Sequence, residues 1–150
     1  IHNGIVKLKI IDVAGIDKDG NDSVLNTGSP HFVQYVDDVE NFKVYEEGNK
    51  IRNSATYRSE GINVNFVEET GENEIFVRTY ERGVEDETFS CGTGATAAAL
   101  VFLNDRDENM VNVKVRGGNL KVYAQKHSGS FTEVWLEGPA KQVFRGKIDI

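Results

Sequence analysis

The segment richest in chemistry runs Glu81-Arg82-Gly83-Val84-Glu85-Asp86-Glu87-Thr88-Phe89-Ser90-Cys91-Gly92-Thr93-Gly94, an acidic stretch leading to the chain's single cysteine. A cysteine acts as nucleophile or base only as its thiolate. If Cys91 opens a helix, the unpaired N–H groups and the positive dipole end favour an anion there, which predicts a lowered thiol pKa. The same N–H groups can hold a carboxylate, and Gly92 and Gly94 on either side of Thr93 would let the backbone approach a ligand closely. A thiolate and an anion pocket are thus expected on one short stretch. Each part alone has a plainer explanation. A lone cysteine is usually a small buried hydrophobe, a Gly-rich triplet a tight loop, Glu81-Arg82 an exposed ion pair, and His31, following Pro30, a core or turn histidine. It is their combination that carries the functional expectation.

Positioning these residues requires a strand, a loop and a buried helix in succession. From Thr93 to Leu103 every side is apolar or small, so a helix there must be covered all round and should run through the middle of the domain. Around it, alternation or short β-branched runs predict strands at 5–11, 31–36, 63–68, 75–81, 111–116, 120–126, 133–136 and 142–146. Asp19-Gly20 predicts a hairpin turn after the first strand; 69–73, Gly117-Gly118 and 128–130 predict further turns. Residues 42–52 read as a second helix, weakened by Gly48. The expected fold is α+β: a curved mixed or antiparallel sheet, a half-barrel, wrapped around a central apolar helix.

Composition bounds the function. The 150 residues suit one domain, and the net charge of -7 argues against a nucleic-acid partner, which clustered Lys and Arg would serve. Hydrophobic residues make up 39% with no run long enough to span a membrane, so a soluble, cytoplasmic protein is expected. One cysteine leaves no disulfide framework, and His2, His31 and His127 lack metal-ligand spacing, so no metal is expected. The chain begins at Ile1 in a strand-like stretch, which suggests a fragment of something longer.

Glu81-Arg82-Gly83, Glu87-Thr88 and Cys91-Gly92-Thr93-Gly94-Ala95 are similar to the C-terminal signature of diaminopimelate epimerases. Asn26-Thr27-Gly28-Ser29-Pro30-His31 resembles the family's Gly-Asn-Pro-His segment, and Gly61-Ile62-Asn63-Val64-Asn65-Phe66-Val67 its Asn-Val-Asn-Phe strand. Gly138-Pro139-Ala140 through Phe144 resembles the closing segment, so the likeness covers nearly the whole chain in the family's order. It implies two similar lobes with the active site in the cleft between them, residues 1–150 forming the single C-terminal lobe and the N-terminal lobe being absent from this chain.

The activity implied is inversion of one α-carbon of LL-diaminopimelate to the meso form, for lysine and peptidoglycan synthesis, without pyridoxal phosphate, metal or other cofactor. Each lobe supplies one cysteine, one thiolate removing the α-proton while the other thiol protonates the opposite face. By resemblance Cys91 is the second-lobe cysteine, with Glu81 and His31 as acid–base residues near the thiols. Gly92 and Thr93 would hold the carboxylate at the reacting carbon, and Asn63, Arg82 and Ser29 the distal end, Glu81 also lying against substrate. The partners implied are diaminopimelate, the missing lobe and, in a dimer, a second copy. The fragment alone should be inactive.

Three departures from the family pattern are visible. Ser29 stands where the family has Asn, the loop at Val84-Glu85-Asp86-Glu87 is one residue longer, and Tyr57-Arg58-Ser59-Glu60 replaces an aromatic-Pro step. None removes a proton-transfer residue, so affinity rather than reaction type should change. Two competing readings are a proline or hydroxyproline racemase, which has no reason to keep Asn63 and Arg82 for a second amino-acid head, and a non-catalytic binding domain with Cys91 as core. A phenazine-type isomerase fits less well because that group does not use the cysteine pair.

Overall fold

The computed structural model describes residues 4–148, so Ile1 and His2 lie outside the described residues. Ten strands and two helices follow one another: β1 Ile5–Lys9, β2 Asp17–Asp19, β3 Asp22–Asn26, β4 Pro30–Tyr35, α1 Val44–Arg52, β5 Asn63–Gly71, β6 Glu74–Glu81, β7 Asp86–Thr88, α2 Gly92–Asn104, β8 Met110–Val115, β9 Gly118–His127 and β10 Ser130–Pro139. They form one mixed sheet in the order β1-β10-β9-β8-β6-β5-β4-β3-β2, with β7 paired to β6 beside this path. The pairs β4/β5 and β6/β8 are parallel, and each is joined through a helix. The remaining neighbours are antiparallel.

Chain connectivity forces this sheet to roll. β1 and β2 are its two edges, yet only residues 10–16 join them. Eight gaps of ~4.8 Å would hold the edges about 38 Å apart in a flat sheet, whereas the eight Cα steps from Lys9 to Asp17 reach at most roughly 29 Å. The joining segment is also held against β10 by reciprocal bonds, Val13 N–H to Phe131 O at 2.8 Å and Phe131 N–H to Val13 O at 2.7 Å. The result is the expected half-barrel.

Strand alternation then assigns two cores. Inward-facing Val33, Val67, Ile75, Val77, Val111, Val113, Val122 and Phe131 close on the buried small and apolar residues of α2, among them Ala95, Ala98, Ala99 and Leu100. Alanines let the sheet approach the helix on every side, as its all-apolar sequence requires. Outward-facing Phe32, Val64, Phe66, Phe76 and Tyr80 pack with Val44 of α1.

Three expectations need correction. Asp19-Gly20 does turn a hairpin, but between β2 and β3; β1 pairs instead with β10 at the other edge, and its residues are mostly exposed, so its alternation marks no buried face. No strand forms at 142–146, where the chain is irregular and exposed with no neighbour to pair its backbone. Gly48 is not a weakness of α1. A Cβ there would collide with Tyr80 Cβ and stand 2.7 Å from Tyr80 Cγ, so the glycine is what allows helix and sheet to meet.

Candidate active site

At one end of the half-barrel the inner face of the sheet changes from apolar to polar. Along β4, β5 and β6 the residues pointing at α2 pass from Val33, Val67 and Val77 to His31, Asn63, Asn65, Thr79 and Glu81. β6 continues past Glu81 into a turn and β7, and the chain re-enters at Cys91, the N-cap of α2, whose carbonyl accepts the first helical bond from Ala95 N–H at 2.8 Å. Thus the polar end of the sheet and the N-terminus of α2 face each other. The intervening loop is pinned by Arg78, whose guanidinium forms a two-point pair with Glu87 at 2.7 Å for each bond and donates to the carbonyls of Val39, Glu40 and Phe42.

The predicted residues come together here as one hydrogen-bonded set. Ser29 Oγ lies 3.0 Å from His31 Nε2 and 3.3 Å from Thr93 Oγ1, and Asn63 Nδ2 donates to it at 3.2 Å. Asn63 also donates to Pro30 O at 3.1 Å and accepts from Arg82 N–H at 3.0 Å, so this side chain ties the site's loops together. Thr93 Oγ1 reaches Cys91 Sγ at 3.6 Å. Glu81 accepts a 2.7 Å bond from Thr88 and stands beside the Cys91 thiol. Arg82 is exposed, its guanidinium bonded to Glu60 O at 3.0 Å. His31 does not touch the sulfur; it connects through Ser29 and Thr93.

One expectation about the thiol segment changes. Burial pushes the Cys91 thiol up rather than down; the Thr93 hydroxyl and the Gly94 N–H pull the other way, and the neighbouring Glu81 carboxylate adds to the rise. In this chain desolvation outweighs the helix N-terminus, so the resting group is a thiol. The glycines flanking Thr93 also make room for protein neighbours. A Cβ at Gly94 would collide with Asn65 Oδ1 and lie 3.2 Å from Cys91 Sγ, and one at Gly92 would lie 3.0 Å from Leu136. His31, fully buried, is held down at about 4 by desolvation and then by the Arg82 charge, so it is neutral at physiological pH.

Asn65 and Thr79 belong to the site although sequence reading gave them no role. Asn65 donates to Phe32 O at 2.9 Å, lies 3.2 Å from His31 Nδ1 and accepts from Thr79 at 3.0 Å, all buried. The signal was present: residues 63 and 65 share a face of one strand, so a polar Asn63 facing the site places Asn65 there too. Thr27, whose hydroxyl donates to Thr93 O at 2.9 Å, fastens the Ser29 loop to α2. Among the described residues no group of three His, Cys, Asp or Glu side chains could hold a metal. Nor is any described helix long and apolar enough to cross a membrane.

Comparison with known proteins agrees with this geometry. Residues 23–143 match the family model described as diaminopimelate epimerase. The chain is 45% identical over 149 residues to the diaminopimelate epimerase of Flavobacterium psychrophilum, covering 98% of this chain and 58% of that protein. It is 41% identical over 128 residues to that of Chlorobaculum tepidum, covering 84% and 49%. The chain therefore spans about half the length of the relatives it matches. Among solved structures, a probable proline racemase from Agrobacterium radiobacter aligns with a TM-score of 0.63 at 14% identity, covering 91% of this chain and 51% of that one, a likeness of fold alone. With the sulfur, carboxylate and helix N-terminus assembled as the motifs required, and the match running across most of its length, this chain belongs to the diaminopimelate epimerase family.

Proposed function

We propose that this chain is the C-terminal lobe of a cofactor-independent enzyme that epimerises LL-diaminopimelate to meso-diaminopimelate in the cytoplasm, feeding lysine and peptidoglycan synthesis. The observation that carries this reading is Cys91 at the N-terminus of α2, with Glu81 beside the sulfur and Thr93 bonded to it. A thiol kept protonated by burial is suited to the acid half of a two-base inversion. The thiolate of a cysteine in the absent N-terminal lobe takes the α-proton from one face. Cys91 gives its proton to the other, and the two sulfurs exchange protonation states. Exposed Phe89 and Val84 at this end of the lobe fit a surface that a second lobe covers.

Binding roles follow the same geometry. The free N–H groups of Gly92 and Thr93 at the start of α2 suit the carboxylate on the reacting carbon, where charge accumulates as the proton leaves. Arg82, exposed at the end of β6, offers a planar fork to the distal carboxylate. Asn63 keeps one lone pair of Oδ1 beyond its internal bonds, and Ser29 supplies a shorter polar group than the family's Asn. Glu81 assists proton movement at Cys91 directly, whereas His31 acts on it through the two hydroxyls.

The test is α-proton exchange of LL-diaminopimelate in D₂O, followed by NMR with the full-length protein and its Cys91→Ala form. Exchange and inversion are expected in the parent and a loss of at least 10³-fold, written as about 4 kcal/mol or more of barrier, in the variant. A folded parent that exchanges proline but not diaminopimelate would point to the racemase reading, and one that exchanges neither to a binding domain.

A further inference from the structure

Two asparagines whose amides are oriented by the backbone decide where the protons of the buried chain lie. Phe32 O can only accept, so the Asn65 group facing it is the NH₂, and the same Nδ2 is 3.2 Å from His31 Nδ1. The amide oxygen turns to Thr79. His31 Nδ1 must therefore accept, and a neutral imidazole then carries its proton on Nε2 and donates to Ser29. Asn63 is oriented likewise, its Nδ2 on Pro30 O and its oxygen on Arg82 N–H, and it too donates to Ser29. With both lone pairs of Ser29 Oγ filled, Ser29 is the donor in its contact with Thr93, and the Thr93 proton is left for Cys91 Sγ.

We propose, resting on the epimerase reading above, that Asn65 is a positioning residue for the reaction: it locks the His31 tautomer and so polarises the chain His31 to Ser29 to Thr93, which ends in a hydroxyl donor aimed at the Cys91 sulfur. That donor stabilises the thiolate left once Cys91 has given its proton. It offsets part of the rise that burial and Glu81 cause. His31 in this arrangement is a donor whose direction is set by the sheet, and no proton need leave the imidazole. Asn65, His31 and Thr79 are all at most 4% exposed, so solvent does not substitute for the bonds among them that set the tautomer.

The experiment uses the full-length protein without substrate and has two readouts. Nitrogen-15 NMR of the histidine rings reports which His31 nitrogen holds the proton, and the pH dependence of Cys91 alkylation reports the thiol midpoint. The wild type should carry its His31 proton on Nε2. Asn65→Asp, an acceptor facing Nδ1, should move that proton to Nδ1 and raise the Cys91 midpoint by about one pH unit, the loss of one hydrogen bond to a charged acceptor. Ser29→Ala should raise the midpoint by a similar amount while leaving the tautomer unchanged, and it decides the matter if Asn65→Asp does not fold. A wild-type proton on Nδ1, or an unmoved midpoint in a folded variant of either kind, overturns the proposal. Because neither readout involves diaminopimelate, failure of the epimerase reading would show separately, as absent α-proton exchange with the tautomer and midpoints as expected.

Discussion

Cys91 shows how two ordinary effects at one atom are decided by magnitude. A helix N-terminus favours the thiolate, but its influence is limited to a first turn and to about 1–2 kcal/mol, whereas burial opposes the charge over the whole sulfur. Here burial prevails, and the thiol sits above its ordinary range. His31 obeys the same rule with opposite charge. Its folded pKa is about 4 against 6.5 for a free imidazole, so below pH 6.5 the unfolded chain binds a proton that the folded one refuses. Stability from this group is whole above pH 6.5 and lost progressively as the pH falls to about 4, by about 3 kcal/mol. Urea denaturation of wild type and His31→Gln between pH 7 and 4 should show that extra slope in the wild type alone, to within roughly 1 kcal/mol.

Element packing explains residues that propensity misjudges. On propensity alone Gly48→Ala in α1 should stabilise the helix by about 1 kcal/mol. The packing argues the reverse, because the new methyl would have to displace Tyr80, which is fully buried and holds the outer core. Overpacking costs about 1–3 kcal/mol, so Gly48→Ala should lower stability on balance, by about 1–2 kcal/mol in chemical denaturation. Strand alternation has a matching consequence for the site. Asn63 and Asn65 share the inner face while Val64 and Phe66 point outward into the α1 core, so one strand supplies both the polar network and the packing that holds it still.

At the scale of the whole molecule, the chain holds one cysteine. Inversion by two bases needs groups on both faces of the α-carbon, so the isolated 150-residue chain should be folded yet show no diaminopimelate turnover above background. Circular dichroism and the D₂O exchange assay check the two halves of that statement together. Turnover by this chain alone would contradict the two-cysteine account. The rolled sheet leaves the N-terminus of α2 at an end of the half-barrel rather than inside it, the position that the proposed two-lobe reading requires.

Periodicity in the sequence was enough to place α2, both parallel crossovers' strands and the β8–β10 meander, because α2 has no polar face and the strands are separated by strong turn residues. The motif around Cys91 likewise determined which residues gather, since Glu81 and Cys91 flank a short loop whose ends the fold must bring together. What the linear order could not decide were the long-range pairings and the balance of opposing local effects. β1 joins β10 from the far end of the chain, and Gly48 and Gly94 make room for Tyr80, Asn65 and Cys91. The direction of the Cys91 shift and the proton order through His31 depend on burial and on which carbonyl faces which amide, and those exist only once the sheet has closed around the helix.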